Sequence, residues 1–152
     1  MPMISLAAAV ALSGVSERTL WRRINEGVIQ RGPDDARGRT LLALADVLSV
    51  CKKSCLTEAD FALIVRADEG DVEAQNDLAL LLLAEGRENA ARYWFNLAAN
   101  QNHADAMNWL GRCYMQGQGV AQDENVGVMW IAKAAALGHA ISQAQMRSIT
   151  RH

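Results

Sequence analysis

The feature that most constrains the fold is an internal repeat in the second half of the chain. Residues 72–83 match residues 104–115 at an offset of 32, and residues 88–103 match residues 124–139 at an offset of 36. Trp94 thereby corresponds to Trp130, and His103 corresponds to His139. Repetition at this period is typical of helical solenoids, in which each repeat buries its core by stacking on the next.

Each copy is predicted to be a pair of antiparallel helices, of which the first ends near Glu85 or Gln116. The second helix carries the tryptophan and a pair of alanines. The two offsets differ because GQGVAQDEN in the second copy stands where the first has EGREN. An insertion in the turn between two helices costs little free energy. A third copy that starts at Ala140 is predicted to contribute one helix, over residues 141–149.

The landmarks of the repeat are predicted to be structural. We expect Trp94 and Trp130 to fill the space between helix pairs, and residues 80–83 to be buried on several sides. His103 and His139 occupy equivalent turns, which favours helix capping over a metal or catalytic role. The sequence shows no nucleophile with a base, no carboxylate pair and no glycine-rich phosphate loop, so we predict no enzymatic activity, no cofactor and no metal.

The segment ADAMNWLGRCYMQGQGVAQDENVGVMWIAKAAALGHA resembles the Sel-1-like repeat, a relative of the tetratricopeptide repeat. The first copy departs from that pattern because it lacks the Gly-x-Gly-Val turn and has Leu82 where the second copy has Tyr114. The resemblance implies an α/α solenoid that presents a surface to protein partners.

The front of the chain is organised around residues 13–27, SGVSERTLWRRINEG. Ser5 is placed to cap a helix over residues 6–12, and Gly14 to form the turn that follows it. Ser16 is placed to cap a second helix that Gly27 ends, with Leu20 and Ile24 facing inward. We therefore predict two short helices joined by a tight turn.

The next segment, VIQRGPDDARGRTLL, predicts a small β-hairpin around a Gly-Pro-Asp-Asp turn. A helical pattern resumes over residues 41–53, with Leu44, Val47 and Leu48 on one side. Residues 1–56 carry a net charge of +3 and the remainder −5, so a polyanion would bind the front part.

This front part resembles the MerR and excisionase class of winged helix-turn-helix domains. The likeness lies in GVSERTLWRRINEG, the Val28–Ile29 pair, the basic hairpin and ALADVL, and it covers about residues 3–50. The predicted fold is mainly α: a winged helix-turn-helix domain over residues 1–55 with a small β-hairpin wing, and an α/α solenoid of Sel-1-like repeats over residues 56–152.

The resemblance implies a DNA-contacting surface made by the second helix and the hairpin wing. Helix arginines suit guanine edges and phosphates, while wing arginines suit the backbone or the minor groove. Trp21 is expected to pack in the core or between the helix and the wing. The predicted DNA-binding residues are Ser16, Arg18, Thr19, Arg22, Arg23, Arg31, Arg37 and Arg39.

These features predict a transcriptional regulator that binds double-stranded DNA as a homodimer. One small domain of modest charge binds DNA mostly nonspecifically, and two on paired half-sites bind far more tightly. MerR-class proteins dimerise through a long helix that this chain lacks, so the repeat body is expected to replace it or to bind a regulatory protein. The alternatives are an adaptor or anti-activator with a degenerate helix-turn-helix, and an excisionase-like DNA-bending factor.

The remaining sequence features bear on location. The apolar run over residues 4–12 has signal-peptide length, but no Lys or Arg precedes it. No apolar run reaches the roughly 20 residues of a transmembrane helix. Cys51, Cys55 and Cys113 form no metal-ligand spacing, although Cys51 and Cys55 would share a helix face. We therefore expect a cytoplasmic protein with packed thiols and no membrane association.

Overall fold

The computed structural model describes residues 1–51 and 56–150. The chain divides into two units, Met1–Asp71 and Val72–His152. We call residues 1–71 the N-terminal unit and residues 72–150 the repeat unit. The division lies later than the predicted boundary between residues 55 and 56, because residues 58–68 pack within the N-terminal unit.

The N-terminal unit contains short helices and a two-stranded antiparallel sheet. The strands pair Met3 with Ala43, Ile4 with Leu42 and Ser5 with Leu41. Along the chain its elements are strand β1 (Met3–Ser5), helices α1 (Leu6–Ser13) and α2 (Glu17–Asn25), strand β2 (Leu41–Ala43), helix α3 (Leu44–Ser49), a 3₁₀ turn (Glu58–Asp60) and helix α4 (Phe61–Asp68).

The first two helices begin and end where the capping residues predict. Ser5 Oγ accepts a hydrogen bond from Ala8 N at 3.2 Å, and Ser16 Oγ accepts one from Thr19 N at 3.1 Å. Gly14 follows α1 with φ of 70°, a left-handed conformation that glycine adopts without steric cost. These local predictions are confirmed.

The β-hairpin differs from its prediction. Residue Arg31 forms a single antiparallel bridge with Leu42, while β2 pairs along its length with β1. Asp35 shapes the intervening turn: its Oδ1 accepts from Arg37 N at 2.9 Å and from Arg39 N at 2.8 Å. The carboxylate thus takes up backbone donors of the returning segment. Beyond the turn, Gly32 N donates to Leu41 O and Ala43 N donates to Gln30 O, each at 2.9 Å.

The third helix is shorter than predicted. Residues 41–43 form a strand, and the helix begins at Leu44 because Leu41–Ala43 supply the ladder to β1. Cys51 lies beyond the helix, with its Sγ 3.4 Å from Val47 O. Cys55, Lys52 and Lys53 lie outside the described residues, so the helix face predicted for Cys51 and Cys55 concerns a segment that the structure does not describe.

Helix α4 is tied to β1 by a buried carboxylate. Asp68 accepts hydrogen bonds from Ser5 N at 2.7 Å and from Ser5 Oγ at 2.6 Å. Thr57 N donates to Asp60 Oδ2 at 2.9 Å, one half of the capping box that starts this segment. These contacts place residues 57–68 in the N-terminal unit and not in the repeats.

The repeat unit consists of consecutive helices, each packed on the next. Helices α5 and α6 form the first copy, α7 and α8 the second, and α9 begins a third. The insertion that makes the second copy longer than the first falls in the turn over residues 117–123, as expected. The helices are α5 (Val72–Ala84), α6 (Glu88–Asn100), α7 (Ala104–Gln116), α8 (Glu124–Ala136) and α9 (Ala140–Thr150).

The two repeated histidines cap helices, as predicted. His103 Nδ1 accepts from Ala106 N at 3.1 Å, and its Nε2 lies 3.1 Å from Glu73 Oε1. His139 repeats this arrangement, with Ser142 N 3.2 Å from its Nδ1 and Asp105 Oδ1 3.3 Å from its Nε2. Since each Nδ1 is an acceptor, each Nε2 bears the proton and donates to the carboxylate. Each histidine thereby links two helices: His103 links α7 to α5, and His139 links α9 to α7.

The two repeated tryptophans differ in burial. Trp94 is 0% exposed, as predicted, whereas Trp130 remains partly exposed. Phe95 of α6 stacks on Trp109 of α7 with ring centroids 6.0 Å apart, so aromatic contacts join the copies. Leu81 is 41% exposed, so the prediction that residues 80–83 are buried on several sides is wrong at that position.

Candidate interaction surfaces

Ser16 and Thr19, two of the residues predicted to contact DNA, form hydrogen bonds with each other at the start of α2. Ser16 Oγ caps α2, and it also lies 2.9 Å from Thr19 Oγ1. The two hydroxyl groups therefore satisfy each other and the first turn of the helix. Ser16 is better explained as a cap than as a ligand-binding group.

The helix arginines lie near a neutralising acid. Arg18 and Arg22 are exposed, and Arg23 is partly exposed. Arg22 Nε lies 3.9 Å and an Arg23 guanidinium nitrogen 3.6 Å from Glu26 carboxylate oxygens. These are exposed pairs one turn apart, which hold side chains weakly. The structure thus brings three cations to one short helix and places one anion between two of them.

The arginines of the segment between α2 and β2 fall into two groups. Arg31 and Arg37 are exposed. Arg31 pairs with Asp34 at 3.2 Å, and its guanidinium lies 5.2 Å from the centroid of the Trp21 ring. Trp21 of α2 therefore contacts the segment that follows the helix, which is one of its two predicted locations.

Arg39 is held by acidic residues of the N-terminal unit. Its side chain is 29% exposed and its Nε lies 2.7 Å from Asp35 Oδ2. The other face of the guanidinium donates to Asp68 O at 3.1 Å and Asp68 Oδ1 at 3.3 Å. Two carboxylates and a carbonyl thus accept from Nε and Nη1 of the guanidinium. This geometry gives Arg39 a role within the N-terminal unit, and its contact with DNA stays a prediction.

The charges around Arg39 reinforce one another. Two hydrogen bonds from Arg39 lower the pKa of the Asp35 carboxyl. The larger effect comes from the Arg39 backbone N–H, and the next from its guanidinium. Burial of Arg39 opposes its charge, but the hydrogen bond to Asp35 and the attraction of Asp68 outweigh burial and raise the Arg39 pKa. This cluster is a brace within the N-terminal unit.

Replacing Arg39 with alanine is expected to lower the free energy of unfolding by about 1–2 kcal/mol, because Asp68 loses its cation while remaining largely buried. Arg37 is exposed on the same segment and supplies the matched control, for which we expect a change within about 0.5 kcal/mol. Urea denaturation followed by circular dichroism measures both. Equal effects at the two positions would contradict the bracing role.

A groove lies on the repeat unit between the end of α6 and the second half of α8. Its volume is about 370 Å³. Trp130 and Lys133 of α8 form one wall, with the ammonium group 4.9 Å from the ring centroid. Leu137, 54% exposed, lies at the end of that wall. The full lining is Ala99, Asn100, Asn102, Met107, Trp130, Lys133, Ala136 and Leu137.

The sequence does not single out this groove. Trp130 and Trp94 occupy the same position in the repeat, so the sequence predicts packing for both. The spacing of Trp130, Lys133 and Leu137 places them on one helix face, but that pattern is also typical of a buried stripe. Only the burial of each tryptophan distinguishes them.

Other kinds of site are not apparent in the described part of the chain. No group of three His, Cys, Asp or Glu side chains in residues 1–51 and 56–150 is arranged to hold a metal ion. Within the same residues, no helix has both the length and the apolar character needed to cross a membrane. Burial raises the pKa of the Cys113 thiol, which is enclosed in α7.

The second half of the chain matches a known protein family. Residues 72–103 and 104–139 each match the Sel1 repeat family. The rat (Rattus norvegicus) protein DAP3-binding cell death enhancer 1 is 34% identical over 85 residues, which are 55% of this chain and 17% of that protein.

A solved structure has a similar fold over part of the chain. A Sel1 repeat protein from Oxalobacter formigenes is 32% identical and superposes with a TM-score of 0.53. The match covers 57% of this chain and 26% of that one. This chain therefore spans well under half the length of either relative. The two copies that follow Asp71 are Sel1 repeats, and the second half of this protein is a Sel1-type helical solenoid.

Proposed function

We propose that this chain binds another protein through its repeat unit and acts as an adaptor, without catalysing a reaction. The observation that carries the proposal is the pair of stacked Sel1 repeats with large apolar side chains left in solvent. A partner that covers such side chains removes apolar surface from water, which favours association. They are Leu81, Met129, Leu137 and Ile141, each between 41% and 60% exposed.

The relatives support the same class of activity. The rat relative has a name stating that it binds another protein, DAP3. We carry over only the binding of a protein, because the shared region is a small part of that relative. The proposal also places this chain in the cytoplasm, which fractionation of cells that express it will test.

Direct binding tests the adaptor proposal. Proteins that co-purify with the full chain are identified by mass spectrometry, produced separately and mixed with it. Titration calorimetry is expected to show binding, and hydrogen exchange is expected to slow within residues 72–150. Failure of every co-purifying protein to bind directly, or slowed exchange confined to the N-terminal unit, would contradict the proposal.

A second candidate function is DNA binding by α2. The observation that favours it is the capped helix after a tight turn that presents Arg18, Arg22 and Arg23. Its charge is modest because Glu26 lies beside two of these arginines. Specific binding would therefore require two copies of the chain on paired half-sites, so this candidate includes homodimerisation.

Fluorescence anisotropy with a labelled two-fold-symmetric duplex at low salt tests this candidate. Replacing Arg22 and Arg23 with alanine is expected to weaken binding and to reduce the salt slope by about two, one for each lost phosphate contact. Arg147→Ala, on exposed α9, is the control and should leave binding unchanged. A chain that is monomeric by light scattering and shows no salt-dependent binding would eliminate this function.

A further inference from the structure

The groove beside Trp130 is distinguished by a comparison between the two copies. The tryptophan of the first copy, Trp94, is 0% exposed, whereas its counterpart Trp130 lines open space. The same residue type therefore completes a core in one repeat and remains partly exposed in the other. Indole rings combine large apolar area with few rotatable bonds, which makes them favourable contact residues.

The shape of the groove suits a small ligand segment. Its volume of about 370 Å³ falls in the roughly 300–1,000 Å³ range of binding pockets. Trp130, Met107, Leu137 and two alanines make most of the lining apolar. Such a lining is complementary to aliphatic or aromatic side chains that leave water on binding.

The charge of the groove identifies the chemistry of its occupant. Lys133 is the one charged residue among the eight that line it, and no carboxylate is among them. Among the residues that the structure describes, no acid forms an ion pair with Lys133. Its ammonium group lies 4.9 Å from the Trp130 ring centroid and has three N–H donors to offer a carboxylate. An acidic group beside apolar side chains complements this arrangement.

The rim of the groove also differs between copies. Asn102 has φ of 65°, and the equivalent residue of the second copy is Gly138 with φ of 90°. The first copy thus places an amide at a position where the second has no side chain. Together with Asn100, it offers hydrogen-bond donors and acceptors at the edge, where a peptide backbone would pass.

We propose that this groove binds a short peptide segment of a partner protein in which apolar side chains adjoin an Asp or Glu. The proposal rests on the protein-binding function above and names the chemistry of the partner. The apolar side chains lie against Trp130, Met107 and Leu137, and the carboxylate lies beside Lys133.

Selection from a random peptide library displayed on phage, with the full chain as bait, tests the proposal. Enriched peptides are expected to share apolar residues next to an acid. The peptide that binds most tightly is then synthesised with a fluorescent label as the probe. Lys133→Glu is expected to weaken its binding about tenfold, because attraction becomes repulsion, and a probe with its acid changed to lysine should recover binding to that variant.

Matched variants separate the groove from general effects. Leu137→Asp is expected to weaken the probe at least about tenfold, since a charge replaces an apolar contact. Leu81→Asp and Arg147→Glu make comparable changes outside the groove and should have no effect. Both groove positions are exposed, so these variants should fold, as circular dichroism will confirm.

The outcomes distinguish the groove from the wider function. Selection of no peptide, or of peptides that bind the Lys133→Glu and Leu137→Asp variants as tightly as the original chain, would overturn the groove proposal. Retained binding of a co-purifying protein by both variants would also reject the groove while leaving the adaptor function standing. Absence of any directly binding protein would instead count against the adaptor function itself.

Discussion

Replacing Trp94 with alanine is expected to lower the free energy of unfolding by about 3–5 kcal/mol, because the indole is fully buried and its removal leaves a cavity. The same replacement at Trp130, in the equivalent position of the second copy, is expected to cost less than about 2 kcal/mol. The partly exposed Trp130 ring has less surface to return to water, and its site is already open on one side.

Urea denaturation of the full chain, followed by circular dichroism, measures both effects. Trp94→Phe provides a further control, since phenylalanine keeps an aromatic ring and removes an indole Nε1–H that has no acceptor among the described residues. It should cost less than Trp94→Ala. Similar losses for alanine at positions 94 and 130 would show that the two tryptophans are equally important to packing, contrary to their burial.

Replacing Asp68 with alanine is expected to lower the free energy of unfolding by about 2–4 kcal/mol. Its side chain is only 8% exposed, and it accepts from Ser5 N and Ser5 Oγ while pairing with Arg39. Removing the carboxylate leaves Ser5 donors unsatisfied and Arg39 with one acid fewer, and such losses are larger than the net value of the bonds themselves.

Glu69 follows Asp68 and is exposed, so Glu69→Ala is the control, with an expected change within about 0.5 kcal/mol. Hydrogen exchange adds a spatial readout: Asp68→Ala should speed exchange in β1 and α1, whose first turn Ser5 caps. If exchange changes only in residues 72–150, the assignment of α4 to the N-terminal unit is wrong.

Local chemistry explains why much of the fold follows from the sequence. Ser5, Gly14 and Ser16 act through neighbours three or four residues away, so their capping and turn roles can be inferred without tertiary information. The repeat is similarly informative, because equivalent residues such as His103 and His139 make equivalent contacts. Both kinds of prediction are confirmed.

The predictions that differ from the structure concern distant partners. Residues 41–43 continue a helical pattern in sequence, but they form a strand because β1, far away in the chain, supplies a ladder. The domain boundary moves for the same reason, since Asp68 bonds to Ser5 across the N-terminal unit. The periodicity of residues 41–68 cannot reveal either contact, because the partner residues belong to β1.

The arginines predicted to contact DNA also differ in tertiary contacts that the sequence does not reveal. Arg18, Arg22, Arg31, Arg37 and Arg39 look alike in sequence as members of one basic surface. Two aspartates pair with Arg39. Arg31 is exposed but contacts Asp34 and Trp21, whereas Arg18 and Arg37 are exposed and form no such pair in the described residues. The number of arginines therefore overstates the charge available to a polyanion.

The sequence by itself determined that residues 72–139 form paired helices in two similar copies, because a fixed spacing of small, aromatic and capping residues has one compatible packing pattern. Only the tertiary structure decided which copies of a residue are available to a partner. Trp94 and Trp130 have the same place in the repeat, yet neighbouring helices bury one and leave the other beside Lys133 in an open groove. Burial depends on what surrounds a side chain in space, and a repeat pattern specifies only its position along the chain.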